Sequence, residues 1–302
     1  MRTTLALLAA FGPLLFSNFG SSPNDGQILS GRLVEGEPIA LNLVPLAGTQ
    51  TMFVVASFET PRQFGTNGAW DVQRKTQVLL RGTPQSDPEG GVLFKQSVPV
   101  PWLDCTAVTL WAKHFGADGK LLGAVRIGNF SFQPRCIEKA VEWQKDDGKP
   151  REFERAVVVC RTHQRGYILD NERLPILSFL VSTGKRGATP VFEPGSLVTL
   201  RKHKVKIGIV REYLGNAHSQ KYNATLYNGI ALDVNRILFL HGTDPKNYRS
   251  LGKEASHGCV RTHQEDQKGA VALLKSFLKG KEGVPAWSVD HPSKLVPISP
   301  DF

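Results

Sequence analysis

Cysteine is scarce in this sequence, with four among 302 residues, too few for a disulfide scaffold to replace a hydrophobic core. Sustained helical periodicity is missing from most of the chain. With 29 Gly and 19 Pro, tight turns are expected and a long helical bundle is excluded. Apolar residues at 41% and charged residues at 21% exclude a disordered chain and a multi-span membrane protein. Nucleic-acid-binding motifs are absent, and the basic runs carry no interleaved aromatics, so the formal charge of +10 does not point to DNA or RNA. It leaves anionic lipid or an acidic polymer as partners.

The compartment follows from the amino terminus. Residues 5–19 are nearly all apolar, follow Arg2 and give way to Ser21, Ser22, Pro23 and Asn24. About 15 residues is short of the roughly 20 that span a bilayer, and Pro13 weakens a helix there. Residues 1–23 therefore read as a secretory signal, with an uncleaved membrane anchor as the alternative. No cysteine follows the run to carry a lipid. The chain is expected to be exported, to a periplasm or cell wall.

Residues 24–135 contain short β-prone runs, among them 51–58, 107–112 and 121–132, with Asp118-Gly119 as a hairpin turn between the last two. Their spacing predicts an immunoglobulin-like β-sandwich. A hydrophilic linker is expected at 136–152, around Lys145-Asp146-Asp147-Gly148-Lys149-Pro150. Strand-like runs return at 156–160, 176–182, 230–234 and 237–240. One helix is predicted, capped by Thr262 with Glu265 reaching back; its apolar face runs from Ala270 to Leu278. A catalytic domain is thus bounded at 153–280, with an extended, proline-rich tail at 281–302. The overall class is mainly β. Residues 136–302 hold 26 Lys and Arg against 18 Asp and Glu, whereas 24–135 hold 10 against 9. Most of the positive charge therefore lies in the second half.

The chemically dense stretch is His241-Gly242-Thr243 followed by Ser256-His257-Gly258-Cys259-Val260-Arg261, with fourteen residues from Gly242 through Ala255 between His241 and Ser256. A thiol attacks only as thiolate, so a nucleophilic cysteine needs an imidazole to take its proton and donors for the oxyanion. His241 closes an apolar strand and would sit on a rigid element. Cys259 is expected just before a helix, whose positive end favours thiolate. The N–H groups of Gly258 and Cys259 are candidate oxyanion donors.

These residues resemble the L,D-transpeptidase catalytic domain of the YkuD type. The spacing from His241, the Ser256-His257-Gly258-Cys259 core and the following Arg261 fit that pattern. Ser182-Thr183-Gly184-Lys185, Thr189-Pro190 and Asn228-Gly229-Ile230-Ala231 are similar to its accessory motifs. Two departures touch the groove lining, Val191-Phe192-Glu193-Pro194-Gly195 and Asp233-Val234-Asn235-Arg236. The resemblance implies that Cys259 attacks a peptidoglycan stem peptide at the third residue and releases the terminal D-alanine, after which an amine of another stem takes the acyl group from the thioester. It implies His241 as base, its ring held by the Gly242 carbonyl, with His257 and Ser256 as loop organisers. Arg261 either holds a substrate carboxylate or braces the loop. Thr243 and Tyr227 are further substrate-side candidates, and Tyr222 lies in the same loop region. No metal or organic cofactor is implied, and roles in peptidoglycan biosynthesis and cell shape follow. The oligomeric state is left open.

Alternatives from other classes stand beside this reading. One is a carboxypeptidase of the same fold, in which water takes the acyl group. Another is a zinc site of His241, His257, Cys259 and His263, although His-x-Cys-x-x-x-His is not a usual zinc knuckle. A third is a wall-binding protein without catalysis. A Cys105–Cys136 disulfide is an open expectation for an exported chain, and Cys160 reads as core.

Overall fold

The structure is a computed structural model that describes residues 14–15, 29–64, 69–86, 92–200, 202–278 and 283–292. Apart from Leu14 and Leu15, the expected signal segment lies outside the described residues. Among the described residues no helix is long and apolar enough to cross a membrane. The chain divides into two compact units, and the fold is mainly β.

The first unit comprises Met1–Ser57, Thr76–Trp102 and Val108–Phe130. Strands Leu29–Val34, Leu121–Gln133, Ala107–Phe115, Thr51–Glu59 and Arg74–Gly82 form a five-stranded sheet in that order. Period-two burial explains them: in Ala107–Phe115 the residues Val108, Leu110, Ala112 and His114 are buried while their neighbours turn outward, as one covered sheet face requires. The Asp118-Gly119 turn forms as expected, with Gly119 at φ 74° and Asp118 Oδ1 accepting from the Lys120 N–H at 3.0 Å. A second sheet pairs Pro38–Leu43 with Val92–Pro99, antiparallel. This pairing establishes β-sheet structure but not the immunoglobulin topology expected from strand spacing.

The second unit comprises Phe58–Lys75, Leu103–Ala107 and Ser131–Phe302. Its nine-stranded sheet runs Ile209–Val210, Val284–Val289, Ala156–Cys160, Arg165–Leu169, Pro175–Ser182, Val260–Thr262, Phe239–Gly242, Ala224–Ala231, Tyr213–Ser219. Strand Ala156–Cys160 is buried at all five residues because both of its faces are covered. Val157 and Val159 join the larger core with Phe179, Leu240 and the main helix, while Ala156, Val158 and Cys160 join a second cluster with Tyr167 and Trp287. A strand covered on both faces reads as an unbroken apolar run. Gly166 makes room here, since a Cβ at that position would fall 2.3 Å from the Phe179 ring.

Three expectations are corrected. The segment 136–152 is not a simple linker: Arg135–Ile137 and the one-turn helix Glu138–Val141 bring Cys136, Ile137 and Ala140 into the second cluster, with Trp143 packed on it. The tail contains Val284–Val289, a fully buried strand paired with Ala156–Cys160; Val284, Ala286, Trp287 and Val289 supply an apolar run that Pro285 within it and Pro292 beyond it obscure. The main helix spans Gln264–Leu274 and is capped by His263, whose ring nitrogen accepts the Glu265 N–H at 3.2 Å. Thr262 instead ends a strand, and its hydroxyl donates to the Leu180 carbonyl at 2.8 Å.

No disulfide joins the four cysteines, all of which are thiols. Cys136 shares its cluster with Cys160, not with Cys105.

Candidate active site

Two parallel strands place the expected catalytic pair. Phe239–Gly242 and Val260–Thr262 align Leu240 with Val260, His241 with Arg261 and Gly242 with Thr262. Leu240 and Val260 point into the core, each fully buried. Side chains alternate along a strand, so Phe239, His241, Cys259 and Arg261 share the opposite face. All four line one cavity of about 320 Å³. His241 and Cys259, with seventeen residues between them in sequence, thus line the same cavity because neighbouring parallel strands carry them in register.

The main helix fixes the His241 strand from below. Gln267, fully buried, donates through Nε2 to the carbonyls of Asn228 at 2.7 Å and Leu240 at 3.2 Å. Gln264 Nε2 donates to the Thr243 carbonyl at 3.1 Å. The buried Asp233 carboxylate accepts the N–H groups of Asn235, Ile237 and Leu238, which organises the turn entering the strand. The departure at Asp233-Val234-Asn235-Arg236 is therefore a structured turn.

His241 is buried, and its Nδ1 donates to the Gly242 carbonyl at 2.8 Å. A carbonyl only accepts, so Nδ1 carries the proton and Nε2 keeps its lone pair. Burial pushes the imidazole down to about 4; the Arg261 charge pushes the same way, and the Gly242 hydrogen bond opposes both. The ring is consequently neutral at neutral pH and able to accept a proton.

The Cys259 loop is held by a set of threonines and a serine. Ser256 is buried; its hydroxyl donates to the Cys259 carbonyl at 2.5 Å and accepts the Gly258 N–H at 3.1 Å. The Ala255 and Ser256 N–H groups both donate to the Thr183 carbonyl at 3.0 Å. Thr189 donates to the Gly258 carbonyl at 2.5 Å and accepts the Gly184 N–H at 2.7 Å. Gly258 has φ 135°, a conformation that favours glycine. The Gly258 N–H, one of the two expected oxyanion donors, is given to Ser256 within the loop. The strand Val260–Thr262 also separates Cys259 from the helix, and the dipole falls off within the first turn, so the dipole contribution expected from the sequence is weak.

Arg261, Thr243 and His257 line the cavity with Cys259, as does Tyr222, which stacks on His257 at 4.8 Å and 20°. Tyr227 is not among the lining residues; it pairs with Gly242 across the neighbouring strands. Lys246 and Asn247, which no motif singled out, also line the cavity. They follow His241 in a short helical turn, Pro245–Ser250, capped by Asp244. Among the described residues Arg261 has no carboxylate within ion-pair distance, whereas Arg236 at the same cavity is paired with Glu212. His263 is not a lining residue; it packs against Tyr248 and Trp70. The four residues considered for zinc therefore do not converge, and among the described residues no group of three or more His, Cys, Asp or Glu is placed to hold a metal.

Residues 154–276 match the family model described as the YkuD L,D-transpeptidase catalytic domain. Solved structures similar to the chain include an L,D-transpeptidase from Stackebrandtia nassauensis, at 20% identity over 52% of this chain and 66% of that one, with a TM-score of 0.34. Another is an L,D-transpeptidase from Mycobacterium smegmatis, at 14% identity over 85% and 94%, with a TM-score of 0.31. A third is an L,D-transpeptidase in complex with imipenem, at 13% identity over 86% and 94%, with a TM-score of 0.29. No curated protein matches the chain. The family match carries the identification: the segment 154–276 is a member of the L,D-transpeptidase catalytic domain family.

Proposed function

We propose that this chain is an exported, cysteine-dependent L,D-transpeptidase that forms or remodels peptidoglycan cross-links. The observation that carries the proposal is the shared cavity of Cys259, His241 and Arg261, set on one face of two parallel strands. His241 Nε2 takes the thiol proton of Cys259, and the thiolate attacks the carbonyl of the diamino acid at the third stem position. The Cys259 N–H stabilises the oxyanion, and imidazolium returns the proton to the departing D-alanine amine. An amine of a second stem then attacks the thioester. Arg261 holds a substrate carboxylate, since among the described residues no carboxylate lies within ion-pair distance of it. Ser256, Thr189 and Thr183 act only by fixing the loop, and neither metal nor organic cofactor takes part.

Hydrolysis is the competing fate of the same thioester, and water access to the cavity decides between the two. Incubating the full chain with purified muropeptides and weighing the products tests the proposal. Dimers joined between two third-position residues support transfer; trimmed stems alone would make the protein a carboxypeptidase. No change in any stem would remove the enzymatic reading.

A further inference from the structure

Outside the catalytic cavity, a pair of cysteines sits in the same unit and serves no step of the reaction. Cys136 belongs to the turn Arg135–Ile137, and Cys160 ends the strand Ala156–Cys160. Both are buried in one cluster with Tyr167, Trp287 and Val289, at 2% and 0% exposure. The Cys136 thiol donates a hydrogen bond to the Cys160 sulfur, and His163 adds side-chain and backbone hydrogen bonds to it. We propose that Cys136 and Cys160 are a disulfide site, closed by exchange with a small-molecule or protein disulfide, which fastens the entry to the catalytic unit onto the buried strand Ala156–Cys160.

Three observations carry this. The first is that a turn and a strand carry the two thiols into one buried cluster, within hydrogen-bonding reach of each other, the juxtaposition a disulfide needs. The second is chemical: the Cys136 thiol and then His163 hold the Cys160 thiol below its usual range, which raises the thiolate fraction available for exchange. Cys105 is the opposite case, its thiol pushed up to about 12 by burial and the Asp104 charge, and it is not in this cluster. The third is topological: the bridge closes a loop of roughly 25 residues, enough to restrict the unfolded chain substantially.

The exchange balances. Cys160 thiolate attacks a sulfur of the donor disulfide and expels one thiolate, forming a mixed disulfide. Cys136 then attacks the Cys160 sulfur and expels the second thiolate. Two protein thiols are oxidised, one donor disulfide is reduced to two thiols, and the two protein protons pass to the released thiolates. The bridge also bears on the active site at one remove. Arg161, next to Cys160, donates to the Thr189 carbonyl at 2.7 Å, and the Thr189 hydroxyl holds the Gly258 carbonyl.

The test is to refold the full chain in a mixture of oxidised and reduced glutathione, quench with acid, denature and alkylate. The expected mass shows two alkylated thiols instead of four, and an unreduced tryptic digest yields the peptide 136–139 linked to 156–161, two hydrogens lighter than their sum. Adding a reductant is expected to lower the melting temperature by several degrees in this protein and to leave Cys160→Ala unmoved. Four alkylated thiols, or a linked peptide that joins Cys105 or Cys259 instead, would overturn the proposal. It stands or falls independently of whether Cys259 is catalytic.

Discussion

The hydroxyl of Thr189 donates to the carbonyl of Gly258 at 2.5 Å and accepts the N–H of Gly184 at 2.7 Å. One buried side chain thus ties two segments about 70 positions apart in sequence and sets the backbone immediately before Cys259. Thr189→Val keeps the shape but leaves both backbone groups without this partner, which costs about 1–3 kcal/mol. Urea unfolding should show that loss. Catalytic efficiency should fall more than stability alone accounts for, since small displacements of a nucleophile are costly. Thr189→Ser, which retains the hydroxyl, should recover most of both.

His241→Ala removes the proton acceptor. Turnover is expected to fall by about 10²-fold or more, and alkylation of Cys259 near neutral pH should slow. Equal alkylation rates in the variant and the natural protein would exclude His241 as the base.

The same histidine makes stability depend on pH. Its folded value of about 4 lies below the ordinary 6.5, so the unfolded chain binds the proton more readily. The contribution is fully present above about 6.5, is lost as pH falls toward 4, and declines no further below that. Across this window the stability difference between the natural protein and His241→Asn should shrink by up to about 3 kcal/mol. Denaturant midpoints at pH 7, 5.5 and 4 read this directly; a constant difference would contradict the buried, neutral imidazole.

Arg261→Gln removes a cation that the proposal assigns to a substrate carboxylate. KM should rise roughly tenfold or more, the scale of a lost charged hydrogen bond. Burial is the larger cause of the low His241 value and Arg261 the smaller, so the His241 titration should also move upward. A variant that changes the titration but not KM would leave Arg261 as a bracing residue only.

Much of the site was legible in sequence because it is local or periodic. The His241 strand announces itself as an apolar run, and the Ser256-His257-Gly258-Cys259 core is contiguous. What the sequence does not display is partnership across distance. Val284–Val289 is short and contains Pro285, so it gives little local sign of the pairing with Ala156–Cys160, more than a hundred residues earlier, that buries it. Thr262 looks like a helix cap until the strand partner at Val181 claims it, which moves the cap to His263. Cys136 sits in a polar neighbourhood and gives no local sign that it packs against Cys160. Tyr222 and Tyr227 are equivalent by composition; the short turn Gln220–Tyr222 carries the first to the cavity, and strand register puts the second across from Gly242.

The nucleophile is tested most directly by acid-quenching the full chain during turnover of a tetrapeptide stem and measuring intact mass, followed by peptide mapping. One acyl group, the stem less its departed D-alanine, is expected on the peptide containing Cys259, with no adduct and no turnover in a folded Cys259→Ala variant. An acyl group on any other residue, or turnover that persists in that variant, would contradict it.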